Sequence, residues 1–254
     1  VKYYCRLVAL TSLLTLAACV TTTPQDTAHR DKLASLHYQI GVDALGKGLL
    51  PKAFDELMES DSIRPDQPEV LDALAYAWLM RGDMAKSESY YLKALRQGGG
   101  AATQNNYASL LNRLNRYDEA EKAARTALND PRYSNQDLAF INLGNAMAGQ
   151  KNYPAAIDAF RQALQFNPAN NLANLRLADT YAAAGDLLQA QALYEALIQS
   201  QPQSRDTVAG LVQVLVAQHK IDDAQRYLNH FSKQSESVAD RAWSIEQINR
   251  LPTP

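Results

Sequence analysis

Apolar and small side chains return along this chain at a period near 34 residues, and each period carries the spacing of two amphipathic helices. The clearest register mark is a small residue in the first helix followed twelve residues later by Ala in the second: Gly41 with Ala53, Gly144 with Ala156, Ala178 with Ala190. Repeat starts fall at Ala34, Pro68, Ala101, Asp137, Asn171 and Arg205, at intervals of 34, 33, 36, 34 and 34 residues. Bulky side chains recur at the eleventh position (Trp78, Leu111, Met147, Tyr181, Leu215) and at the twenty-fourth (Leu57, Tyr91, Phe160, Tyr194, Leu228). Gly82-Asp83 and Gly185-Asp186 mark turns between paired helices, and Pro65, Pro168 and Pro202 mark repeat ends, where proline stops a helix. Asn129 to Ser134 holds the two surplus residues of the long interval, so the third repeat closes with a longer loop. Beyond the sixth repeat, Val238 to Leu251 sets Val238, Trp243, Ile245 and Ile248 on a partly apolar helical face, read as a cap on the last repeat. Twelve paired helices from about residue 33 to 236, then one more, are the expected elements.

The first twenty residues follow another rule. Lys2 and Arg6 give a positive start, Leu7 to Ala17 an apolar run too short to span a bilayer, and Leu16-Ala17-Ala18-Cys19 resembles the bacterial lipobox, in which cleavage precedes a cysteine that then carries lipid. The resemblance implies a signal over 1–18 and a covalent lipid on Cys19, with no other cofactor. Val20 in place of Asp implies an outer-membrane destination. Residues 19–33, with Pro24 and no apolar periodicity, read as a flexible tether. The repeats then occupy 34–237, and the cap and tail 238–254.

Composition removes several function classes. Of 254 residues 20% are charged and the net charge is -2, so there is no positive field to neutralise a run of phosphates, and nucleic acid is excluded as a partner. Both cysteines, Cys5 and Cys19, lie in the N-terminal segment, so no disulfide framework staples the body. The four histidines are scattered, and no HExxH, GxSxG or phosphate loop occurs; Gly98-Gly99-Gly100 lacks the Lys-Ser/Thr of a phosphate loop and reads as a helix-ending turn. Asp118-Glu119 and Asp222-Asp223 each open a second helix, where acidic groups complement the helix dipole. Neither an enzyme nor a metal or small-molecule site is expected.

The paired-helix frame resembles the tetratricopeptide repeat. That resemblance implies an all-α, right-handed α-solenoid of six repeats with a C-terminal capping helix, and a concave face lined near positions 2, 5, 9, 12 and 13 of each first helix. Here those positions supply Tyr38, Val42 and Leu45, then Asp72, Tyr76, Leu79 and Met80, then Asn105, Ser109, Asn112 and Arg113. Later repeats add Ile141, Asn145, Leu175 and Asp179. The first two repeats thus offer an apolar landing site for a partner segment.

Asn105-Asn106-Tyr107, Arg116-Tyr117-Asp118-Glu119-Ala120, Asp130-Pro131-Arg132-Tyr133 and Asn142-Leu143-Gly144 resemble the type IV pilus biogenesis and stability lipoproteins of the PilF/PilW type. These are pilotins of the pilus secretin. Family cysteines of the third and fourth repeats are replaced by Asn112 and Ala146, so that linkage is absent. The resemblance implies an adaptor that holds secretin subunits at the outer membrane and promotes their multimerisation. The alternative is a general envelope scaffold that recruits peptidoglycan enzymes or a tight-adherence pilus secretin.

Overall fold

The computed structural model describes residues 24–252. Among them the chain forms thirteen helices and no strand: α1 (Pro24–Gly46), α2 (Leu50–Ile63), α3 (Pro68–Met80), α4 (Met84–Arg96), α5 (Ala101–Arg113), α6 (Tyr117–Leu128) and α7 (Gln136–Gly149). The series continues through α8 (Tyr153–Phe166), α9 (Asn171–Ala184), α10 (Leu187–Ser200), α11 (Arg205–Ala217), α12 (Ile221–Gln234) and α13 (Val238–Arg250). None of these helices is long and apolar enough to cross a membrane. The proposed signal and Cys19 lie outside the described residues.

Helix starts at Pro68, Ala101, Asn171 and Arg205 coincide with the repeat starts of the hydrophobic pattern, and α7 begins one residue before Asp137. The pattern fails at the front, where residues 24–33 are not a tether but the opening turns of α1. Polar contacts hold them. Arg30 donates from Nη2 to the Ile63 carbonyl at 2.7 Å, and Arg64 pairs with Asp31 at 3.7 Å. Ser60 then donates to the Ala34 carbonyl at 2.9 Å, inside the packed interface of α1 and α2.

Each helix packs on its neighbours in sequence, and the first helices of successive repeats also touch (α1 on α3, α3 on α5, and on to α11). Second helices show no comparable packing on one another. The stack therefore bends with the first helices inside. Inside five of the six pairs a bulky twenty-fourth-position side chain fills the core: Leu57, Tyr91, Phe160, Tyr194 and Leu228 are all 2% exposed or less. The small residues of the first helix make room for it. A Cβ built on Gly144 would lie 2.6–2.8 Å from three ring atoms of Phe160, and one on Gly41 would lie 2.7 Å from Leu57. Gly144 is thus the socket for Phe160, a more specific role than close approach to Ala156.

The buried apolar side chains form two clusters. A smaller one joins Ala44, Leu45, Phe54 and Leu57 to Val70, Leu74 and Ala77, and a larger one runs from Ala75 and Leu79 to Phe231. They meet within α3. At the far end Trp243 and Ile248 of α13 pack onto the large cluster, with Trp243 edge-on to Phe231 at 5.8 Å, and Ser244 donates to the Leu228 carbonyl at 2.6 Å. Val238 and Ile245, expected on the same face, point outward at 72% and 54% exposure, because the packed stripe runs through 244, 248 and 251 instead.

One backbone device repeats six times. The fifteenth position of every repeat, between its two helices, has positive φ: Gly48, Gly82, Asn115, Lys151, Gly185 and His219 at 57–86°. This left-handed residue ends the first helix and turns the chain back. Lys151 and His219 hold it at a cost of roughly 1–2 kcal/mol, against about 0.5–1 kcal/mol of extra chain entropy for glycine. Lys151→Gly and His219→Gly are each expected to stabilise by about 0.5–1 kcal/mol. Denaturant unfolding checks this, and a loss of stability in both would contradict it.

Candidate functional site

The inner face is built by side chains at fixed positions of the first helices, and the structure divides those positions in two. Positions 9 and 13 open to solvent: Val42, Tyr76 and Met80 are 41%, 45% and 39% exposed, and Arg113 is exposed. Positions 5 and 12 are seven residues apart, hence two turns along one flank, and that flank faces the next repeat. The sequence pattern places Leu45 and Leu79 on the open groove; this is corrected, since they are 7% and 8% exposed, while Asn105 and Ile141, at 4% and 3%, line the cleft as buried residues. Leu45 lies in the small core cluster, and Leu79 joins Tyr91 and Tyr107 in the large one.

Where positions on this flank are polar they bind neighbouring repeats together. Asn142 donates from Nδ2 to Asn105 at both its carbonyl (3.2 Å) and its Oδ1 (2.8 Å). Asn112 donates from Nδ2 to the Asn142 carbonyl at 2.9 Å, a polar link across the seam between the third and fourth repeats. Asn106 donates to Asp72 Oδ2 at 2.9 Å, and burial pushes the Asp72 carboxyl above the usual carboxylate range. Tyr38 is half-buried beside Asp72 and Glu69, and its phenol is raised chiefly by that burial.

A hollow lies further along than the apolar pattern indicates. A cleft of about 760 Å³ opens between α5, α7 and α9, with Ser109, Asn112, Arg113, Ile141, Asn145, Leu138, Leu172, Arg176 and Asp179 among its lining. From Asp179 a second hollow of about 420 Å³ continues between α9 and α11, past Tyr194, Gly210 and Gln213. Small side chains at positions 9, 12 and 13 leave room for this volume at Ser109, Ala148, Ala182 and Ala183, whereas the space beside Gly149 is taken by the Tyr117 ring. Missing volume of this kind leaves no apolar period in the sequence. Leu175 is half-buried and Asn145 partly open.

The charges in the cleft are few. Arg176 pairs with Asp179 at 3.1 Å, and Asp179 also accepts from the Tyr194 hydroxyl at 2.6 Å, a phenol raised by burial and then by that carboxylate. Arg113 makes no ion pair among the described residues. His37 meets Glu56 at 2.7 Å across α1 and α2, and His219 is the exposed left-handed turn residue, so neither faces the groove. Among the described residues no group of His, Cys, Asp and Glu is disposed to hold a metal ion. The arrangement offers shape, amides and apolar surface to a chain laid along it.

Known proteins share this architecture. One sequence profile of the tetratricopeptide repeat matches residues 147–205 and again 181–244, and another matches 107–171, so together they cover 107–244, more than half of the chain. Among solved structures, Pseudomonas aeruginosa PilF superposes with a TM-score of 0.71 at 23% identity, over 86% of this chain and 99% of that one. PilW, described as a widely conserved type IV pilus biogenesis factor, superposes with a TM-score of 0.78 at 20% identity, over 85% of this chain and 98% of its own. Cellulose synthase operon protein C of Pseudomonas fluorescens is 28% identical over 242 residues, 89% of this chain but only 18% of that protein's length. Six helix pairs in one frame, a core built from their eleventh and twenty-fourth positions and these matches agree: the chain belongs to the tetratricopeptide repeat family, a family of protein-interaction scaffolds and not of enzymes.

Proposed function

We propose that this protein is an outer-membrane lipoprotein, lipidated on Cys19, whose inner face holds subunits of the type IV pilus secretin and promotes their multimerisation. The observation that carries the reading is reciprocal coverage: PilF and PilW match over 98–99% of their own length as well as 85–86% of this chain, so the whole solenoid is shared and not a few repeats. The lipobox resemblance at Leu16 to Cys19 supports the anchor. A lipid fixes one end of the adaptor at the membrane, and the groove holds the client beside it. Mature lipoproteins carry several acyl chains, and such anchoring is stable where a single chain is marginal.

The test is a clean deletion with secretin multimers followed by gel analysis of envelope fractions. Subunits are expected to be made but to stay monomeric or misplaced, and Cys19→Ser is expected to reproduce the defect with a folded, released protein. Unchanged multimers in the deletion would refute the pilotin reading. They would favour the second one, a general envelope scaffold, to which the match with a much longer cellulose operon protein lends support.

A further inference from the structure

The inner face is apolar along its open N-terminal stretch and mixed further on, and Arg113 is the exposed cation where the two meet. Toward the N-terminal end its open side chains are apolar: Val42, Tyr76 and Met80. Toward the C-terminal end the cleft mixes amides and small side chains with Leu138, Ile141 and Leu172. Helix α3 packs on α5, and Asn106 of α5 donates to Asp72 of α3, so the open ring of Tyr76 on α3 and Arg113 at the end of α5 lie on neighbouring helices of one face. The charges there are unequally engaged. Asp72 is half-buried and accepts from Asn106, and Arg176 is neutralised by Asp179, whereas Arg113 is exposed with no ion pair among the described residues.

We propose that this face takes an extended polypeptide segment in which an aromatic or aliphatic side chain rests on Tyr76 and Met80 and an Asp or Glu a few residues away pairs with Arg113. The inference rests on the reading of the inner face as the client site and names the chemistry of the client. Charge complementarity selects the acid: Arg113 is the open, uncompensated charge of the cleft, and a guanidinium meets a carboxylate with two parallel hydrogen bonds. An internal side chain, not a chain terminus, fits because the groove runs on in both directions from Arg113, to Val42 on one side and to Gly210 and Gln213 on the other.

Two probes test it with the purified solenoid. One is a pool of short labelled peptides fixed as Phe with Glu three residues on, set against the same pool with Gln for Glu. The other is an array of overlapping secretin segments, each also made with its acids as amides. Glu peptides are expected to bind about tenfold tighter than Gln peptides, with the difference shrinking in high salt and vanishing in Arg113→Gln. Circular dichroism should be unchanged in that variant, whose altered side chain is exposed. Equal affinity for the two pools, or no binding by either, overturns the proposal. Secretin segments that bind equally as acids and amides remove the Arg113 assignment and leave the pilotin reading intact. Preference for the Glu pool with no secretin segment captured keeps the carboxylate and removes the secretin as the client.

Discussion

Gly144→Leu is expected to lower stability by about 1–3 kcal/mol or more, because the space a side chain would need is already filled by the Phe160 ring. Two effects oppose each other here. Replacing a helix-interior glycine gains about 1 kcal/mol of propensity, but a Cβ alone would lie 2.6–2.8 Å from three ring atoms of a side chain that is 1% exposed. Buried aromatic rings do not move aside cheaply, so overpacking wins. Gly46→Leu is the control, since a Cβ there meets nothing within 4 Å. Thermal unfolding should drop by roughly 2–4 °C for each kcal/mol lost. Adding Phe160→Ala to Gly144→Leu should cost less than the two changes summed, because the new side chain occupies part of the vacated space. Strict additivity in that cycle would show that socket and ring are not coupled.

The second large effect separates two neighbours on one helix. Leu79→Ser is expected to cost about 2–5 kcal/mol, since it empties a site between the second and third repeats that is 8% exposed and packed with Tyr91 and Tyr107. Tyr76→Ser, three residues earlier and 45% exposed, is expected to change stability by about 0.5 kcal/mol or less. Binding should respond in the opposite order, with capture of a client segment weakened by Tyr76→Ser in a protein that still melts normally. Similar stability losses in the two variants would mean that α3 is rotated from the orientation described.

That pair also shows where the sequence ceases to be legible. A period near 34 fixes which residues are in the first helix and roughly which way each faces, and Pro68, Ala101, Asn171 and Arg205 open helices where the pattern says they should. It does not resolve the angle between position 9, which opens to solvent, and position 12, which turns under the next repeat, because both are apolar in the first two repeats. Leu79 and Tyr76 look alike until the neighbouring helix is in place. The opening turns of α1 escaped for a different reason: Arg30, Asp31 and Arg64 hold them through polar contacts that leave no apolar period behind. The cleft of repeats three to five escaped because it consists of missing side-chain volume at Ser109, Ala148 and Ala183.

The division of the apolar core within α3 has a mechanical consequence. In a solenoid each repeat is held by its immediate neighbours, so a pull applied at one end is borne by the nearest interfaces and not shared through the whole. Tension entering through α1 falls first on the cluster around Leu45, Phe54, Leu57 and Leu74, while the large cluster behind the cleft lies on the far side of α3. The first repeat is thus placed to peel before the cleft deforms. Such an order of yielding lets the N-terminal end absorb strain as a fuse does, with the grip of the later repeats preserved.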